Sequence, residues 1–114
     1  NRENLVILQI EREKAIEDLE DLFSVPGVVM GSLGPNALAV SYGIPEDLNH
    51  PKMVEAFQRV VDVGRKYKVH TGMHIANLDK LIEWREKGMT VITYNTDLGF
   101  IRSSAASGIA KLKQ

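Results

Sequence analysis

Four short apolar runs rich in β-branched residues alternate along the chain with four stretches whose apolar residues recur at helical spacing. The first run covers residues 5–11 (Leu-Val-Ile-Leu-Gln-Ile-Glu). After it Ala15, Ile16, Leu19, Leu22 and Phe23 fall on one face of a predicted helix that Pro26-Gly27 stops. The second run, Val28–Leu33, ends at Gly34-Pro35, and residues 36–49 read as a long loop. Pro51 opens the second helix at its first turn, with Asn49 or His50 as the cap, and Met53, Val54, Phe57, Val60, Val61 and Gly64 form its apolar face. The third run covers residues 69–75. Asn77 then caps a short helix carrying Leu78, Leu81 and Ile82, which Gly88 closes. The fourth run, residues 89–94, leads into a last helix with Leu98, Ile101, Ala105, Ile109 and Leu112 on one stripe.

Strand and helix alternating four times is the pattern of parallel βαβ units joined by right-handed crossovers, so the expected fold class is α/β, a single (βα)4 unit over residues 1–114. Two closures are open to such a unit: half of an eight-stranded TIM barrel, or a flavodoxin-like doubly wound sheet. In the second, helices cover both faces and strands read as unbroken apolar runs. Here three of the four runs carry a polar face near their C-terminal ends. Gln9 and Glu11 share one face against Val6, Leu8 and Ile10. His70, Gly72 and His74 oppose Thr71, Met73 and Ile75, and Thr93 and Asn95 oppose Ile92 and Tyr94. Helices on one face and polar groups gathered at the top of the other describe a barrel lumen, so the half-barrel is the preferred reading. It leaves Leu5 and Ile7 wet and two parallel edges unpaired, and so calls for a partner: a first half-barrel, a second copy, or a rearranged sheet.

Composition narrows the function classes. The chain has 114 residues, 44% of them hydrophobic, with Lys+Arg 14 against Asp+Glu 15. That hydrophobicity with a net charge of −1 excludes intrinsic disorder, and with no cationic surplus no nucleic-acid partner is expected. The absence of cysteine excludes a disulfide scaffold, a zinc–thiolate site and a thiol nucleophile, and it fits a reducing cytoplasm. The first 30 residues show no basic-then-apolar signal pattern and no apolar run approaches the roughly 20 residues of a membrane span, so a soluble chain without a membrane partner is expected.

Candidate chemistry gathers at the strand ends. Glu11 closes the first strand on the presumed lumen face; it either lines a site or caps the helix that follows, where a negative charge suits the N-terminal dipole. Gly34-Pro35-Asn36-Ala37 makes a sharp turn whose amides can face an anion, but with no Lys it is not a P-loop, and an ordinary turn explains it equally well. His70 and His74 lie about 13 Å apart at strand rise, too far to share a metal ion. His70 reads as structural, His74 as a lesser candidate for lining a site, and His50 as a surface or cap residue. Trp84 and Tyr94 read as packing, with Trp84 off the apolar stripe of its helix and so a weak candidate for a contact surface. Asn95 and Asp97 read as caps of the last helix. No Ser-His-Asp or Cys-His arrangement, dinucleotide fingerprint or HExxH occurs.

Taken in order, these motifs resemble a known family. Gln9-Ile10-Glu11, Val25-Pro26-Gly27-Val28, the run from Gly34-Pro35-Asn36-Ala37 through Gly43, His50-Pro51 with its helix, Gly72-Met73-His74-Ile75-Ala76 and Tyr94-Asn95-Thr96-Asp97-Leu98 look like the C-terminal half of an HpcH/HpaI aldolase. Those are class II, metal-dependent pyruvate aldolases related to the citrate lyase β-subunit group. The resemblance implies a TIM barrel in an oligomer, usually a hexamer, and a site for a divalent cation such as Mg²⁺, Mn²⁺ or Co²⁺ that a pyruvate-like 2-oxo acid chelates.

By the same resemblance Glu11 is a metal ligand, and the loop of Gly34, Pro35, Asn36 and Ala37 binds the substrate carboxylate through its amides. The sequence departs from the family at two places. Ala37 stands where the family has its second metal-binding aspartate, and Ser32 where it has a bulky apolar residue. The family's catalytic arginine and proton-transfer histidine come from the first four strands, so no catalytic residue is assigned in this half. The expectation is an aldolase half-barrel that is inactive alone; the competing one is a non-catalytic half-barrel that self-associates.

Overall fold

In a computed structural model, residues 3–114 are described. Chain order is β1 (Val6–Ile10), α1 (Glu13–Glu17), α2 (Leu19–Phe23), β2 (Val28–Leu33), α3 (Pro35–Ser41), α4 (Pro51–Tyr67), β3 (His70–Ile75), α5 (Leu78–Glu86), β4 (Val91–Tyr94) and α6 (Asp97–Leu112). The first two positions of the expected 1–114 unit lie outside the described residues.

The four strands form one sheet in the order β1-β2-β3-β4, every neighbouring pair parallel. Strand order decides between the two closures. A doubly wound sheet reverses direction at a switch point, which sends its helices to opposite faces. Here each crossover steps the same way, and right-handed connections that never reverse put their helices on one face. The flavodoxin-like alternative is thereby excluded, and the sheet is half of a barrel wall.

One face of that wall carries the core. Leu8, Ile10, Leu33, Met73 and Ile75 point from the strands into a layer built by Ile16, Leu19 and Phe23 and by the long apolar stripe of α4, in which Met53, Phe57 and Val60 are fully buried. Gly31 carries no side chain on this face because the ring of Phe23 occupies the place where a Cβ would stand. A mid-strand glycine, ordinarily a weak point, is here a packing socket. The other face is bare: Leu5, Ile7, Gln9, His70, His74 and Thr93 are all exposed.

Several local signals are used as the sequence implies. The His50 ring accepts from the amide of Lys52 (3.2 Å) and the Asn77 side chain from that of Lys80 (3.0 Å), capping α4 and α5. Gly88, with φ +117°, follows the last residue of the α5 cap. His70, at the N-terminal end of β3, is bonded through Nδ1 to the Thr90 hydroxyl at 3.0 Å.

Other readings are corrected. The first helix is two, broken at Asp18, which ends α1 and starts α2. Residues 36–49 are not a continuous loop: Pro35 opens α3 at its first turn, and Leu38 and Ala39 are buried. Trp84 is not off the packed face. Its ring is 0% exposed and meets Phe57 edge to face, centroids 5.2 Å apart, while Leu78 and Ile82 are exposed apolar residues of α5. The cap of α6 is Thr96, whose hydroxyl accepts from Gly99 at 3.0 Å; Asn95 and Asp97 flank it.

α6 differs from the other helices. None of its residues is buried, and Leu98, Ile101 and Leu112 are 73%, 67% and 88% exposed. A helix that follows the last strand of a sequentially ordered sheet packs over that strand and the next. β4 is an edge and has no next, so the apolar stripe of α6 has no floor. The result is an extended outline of 55 × 36 × 23 Å with a radius of gyration of 16.2 Å, against about 13 Å for a compact chain of this length.

Candidate functional site

The C-terminal ends of the strands surround an open depression of about 370 Å³. β1 contributes Gln9 and, one residue past its end, Glu11. β2 and the turn into α3 contribute Ser32, Gly34, Asn36 and Ala37, while His74 comes from β3 and Thr93 from β4. Each comes from the bare face of its strand, and the register accounts for their convergence. Gln9 lies beside Ser32, Ser32 beside Gly72, and His74 beside Thr93.

The turn from β2 into α3 is held tightly. The Gly34 amide donates to the Ile10 carbonyl at 2.9 Å, so this N–H is committed to the sheet and is not free for an anion. A Cβ on Gly34 would stand 3.1 Å from the Glu11 Cβ and 3.4 Å from its Oε2, with the Gln9 amide nitrogen 3.5 Å away. The glycine leaves room for both side chains to lie over the turn. Pro35 has no N–H, and the amides of Asn36 and Ala37 are first-turn donors of α3, which a helix cannot satisfy from within. At the other end of α3, the Ser41 hydroxyl accepts from the Glu13 amide at 3.0 Å, clamping this helix against the turn that carries Glu11. Glu11 and Ala37 consequently share a second depression with Arg12, Val40 and Ser41.

His74 is tethered across the rim. Its Nε2 lies 2.5 Å from the backbone carbonyl oxygen of Asn95 in the turn between β4 and α6. Asn95 adopts a left-handed backbone (φ +60°), its own amide donating to the Ile75 carbonyl at 3.1 Å and its side-chain oxygen accepting from the Thr96 amide at 2.9 Å.

Among the described residues no group of three or more His, Cys, Asp or Glu side chains is gathered in a way that holds a metal ion, and Glu11 is the one carboxylate lining the strand-end depression. Hard divalent cations take six or more oxygen ligands, with carboxylates as the anchors. The donor set of this chain does not by itself fit such an ion, and Ala37, which lines the depression with Glu11, offers no ligand. A larger groove of about 890 Å³ on the outer side of α4 is spanned by the Lys66–Glu20 ion pair at 2.7 Å. That pair, with the Tyr67 hydroxyl, holds the Glu20 carboxyl below its ordinary pKa.

The depression brings together the five residues that the resemblance assigns, Glu11, Gly34, Pro35, Asn36 and Ala37, and with them His74, the lesser candidate. It adds Gln9, Ser32 and Thr93, which sequence reasoning placed on the lumen side or noted as unusual without assigning them to a site; their signal was the alternation along each strand. No helix among the described residues is long and apolar enough to cross a membrane.

Comparison with known proteins agrees with this geometry. The family model for HpcH/HpaI aldolase/citrate lyase matches residues 1–104. The 5-keto-4-deoxy-D-glucarate aldolases of Enterobacter sp. (strain 638) and Klebsiella pneumoniae are 25% and 26% identical over 107 residues, covering 91% of this chain and 41% of theirs. The chain therefore spans about two fifths of the length of the curated relatives it matches. Among solved structures, an HpcH/HpaI aldolase/citrate lyase family protein from Burkholderia cenocepacia superposes with a TM-score of 0.95 at 26% identity, over 99% of this chain and 44% of its own. An HpcH/HpaI aldolase from Desulfitobacterium hafniense gives 0.89 at 27% identity, over 96% and 43%. The family model covers nearly the whole chain and the strand order is that of half a barrel wall: the chain belongs to the HpcH/HpaI aldolase/citrate lyase family.

Proposed function

We propose that this chain is the C-terminal half of an aldolase barrel, a carbon–carbon lyase for a pyruvate-type 2-oxo acid, and that it needs a first half-barrel to turn substrate over. The observation that carries the reading is the convergence of Glu11 and the first turn of α3 on one depression at the strand ends, where barrels of this kind do their chemistry. In this reading the amides of Asn36 and Ala37, aided by the positive end of the α3 dipole, receive the carboxylate of the 2-oxo acid. Glu11 is the carboxylate offered to the divalent cation (Mg²⁺, Mn²⁺ or Co²⁺) on which aldolases of this class depend. With Ala37 in the same depression the set is one carboxylate short of a two-carboxylate site. A cysteine-free chain agrees with a cytoplasmic setting.

The test is a retro-aldol assay on a 4-hydroxy-2-oxo acid with Mn²⁺ or Co²⁺ present, using preparations whose fold is checked by circular dichroism. Turnover is expected only when the chain is joined to or mixed with a first half-barrel. No turnover in either setting removes the proposal. A second reading, a self-associating half-barrel without catalysis, is favoured by one observation: Ile7, Ile92 and Tyr94 are exposed on an unclosed wall. Sedimentation of the chain alone checks it, a monomer at micromolar concentration being the result that counts against it.

A further inference from the structure

We propose that Arg12 sets the specificity of this site by receiving an anionic group on the aldehyde half of the substrate, the end remote from the 2-oxo acid. The inference rests on the aldolase reading above and adds the class of substrate: a 4-hydroxy-2-oxo acid that carries a second negative charge beyond C4. Arg12 follows Glu11 directly and lines, with Ala37, Val40 and Ser41, a depression of about 330 Å³. Glu11 and Ala37 line both this depression and the one at the strand ends, so the two adjoin at that pair. A ligand whose 2-oxo acid end lies over the first turn of α3 thus has room to extend past Glu11 and Ala37 toward Arg12.

The guanidinium is uncommitted. Arg12 is exposed, its side chain caps nothing in α1, and it has no ion pair or side-chain hydrogen bond among the described residues. Lys14, which shares a third depression with Glu11 and Arg12, is instead paired with Asp18 at 2.9 Å. The strand-end depression itself is lined by no lysine or arginine. Arg12 is therefore the free cation at this rim. Its place in the chain points the same way. Residue 12 is the N-cap of α1 (φ −131°, ψ 149°), where short side-chain acceptors stabilise a helix and a positive charge opposes the dipole. An arginine there brings the fold neither a cap nor a favourable charge, and local rules are broken in this way at functional positions. Its planar fork meets a carboxylate or a phosphate through two parallel hydrogen bonds, an advantage that a neutral group does not share.

The test uses the assembled barrel and two substrates that differ only in the group on C4: 4-hydroxy-2-oxoglutarate, with a carboxylate, and 4,5-dihydroxy-2-oxopentanoate, with a hydroxymethyl group. Both break between C3 and C4 to pyruvate, with glyoxylate or glycolaldehyde as the other product, and pyruvate release is followed. The ratio of kcat/KM for the acid to that for the neutral substrate is expected to fall about tenfold in Arg12→Gln and to stay within about threefold in Arg12→Lys, which keeps the charge. In the wild type the same ratio should shrink several-fold between about 0.05 and 0.5 M salt as screening shortens the reach of the charge, a reading that needs no variant. The 5-phosphate ester of the neutral substrate, run alongside, tells whether carboxylate or phosphate is the anion received. A wild type that favours neither anionic substrate, or a preference that survives within twofold in Arg12→Gln, overturns the role of Arg12 and leaves the aldolase reading standing. No pyruvate from any of the three substrates overturns both.

Discussion

Trp84→Ala is expected to cost the fold roughly 3–5 kcal/mol, read as a fall in the denaturant midpoint without a change of slope. The indole is fully buried, stands edge-on to Phe57 and fixes α5 against the long helix α4. Removing it opens a cavity where α4 and α5 are joined by an aromatic contact, which is itself worth about 0.5–1.5 kcal/mol. Against a typical total of about 5–15 kcal/mol this is a large share. A control separates packing from polarity. The indole N–H is buried without a hydrogen-bond partner, so Trp84→Phe loses volume but also sheds an unsatisfied donor, and it should cost about 1 kcal/mol or less. Equal losses in the two variants would mean that the buried volume is not what Trp84 contributes.

Ala37→Asp is expected to raise the affinity of the chain for Mn²⁺ at least tenfold, measured by calorimetric titration beside Ala37→Asn. Ala37 is the third helical residue of α3 and shares two depressions with Glu11, so a carboxylate there stands beside the one already present. Two anchors in place of one add about 1.4 kcal/mol for each tenfold gain, which a second charge close to the ion can supply even at a high effective dielectric constant. The neutral asparagine offers similar shape and one oxygen and should give little of the effect. The helix tolerates the change, since a negative charge in its first turn is favourable by about 0.3–1 kcal/mol. An affinity that does not move would show that position 37 is not a vacated ligand position.

The parts of the fold that were legible in the sequence are those with a strong local signal. The four strands declared themselves by β-branched runs, α4 by its long stripe with Pro51 at the start, and α5 by Asn77 and Gly88. The alternation of Gln9 and Glu11, and of His70, Gly72 and His74, was enough to identify the bare face, and with it the side on which the site lies. α3 was not legible because it is seven residues long and uncharged, and its only marker, Pro35 at the first turn, also reads as a loop breaker. Asp18 splits the first helix without any Gly or Pro to announce it. Trp84 reads as off the stripe because Leu78, Leu81 and Ile82 define the stripe of α5 in sequence, whereas the buried residues are Leu81 and Trp84. Within the site, position at a strand end made Glu11 and the Gly34 turn candidates beside a cap and an ordinary turn, and only the family resemblance gave them a role. The tether of His74 joins two residues 21 apart in sequence and depends on the left-handed turn at Asn95, which no local pattern specifies.

The lack of a floor under α6 bears on how the molecule melts. Tertiary packing is what ordinarily sustains a helix in water, and an isolated one of about 12–15 residues is marginal even when rich in alanine. α6 has 16 residues, includes Gly99 and Gly108, and is anchored by the Thr96 hydroxyl at its N-terminus. Its winding and unwinding are therefore governed by chain propensity and temperature, largely decoupled from the cooperative loss of the sheet. The polypeptide behaves as two thermal bodies, a wall that comes apart in one step and a filament that frays by degrees in the turns farthest from Thr96.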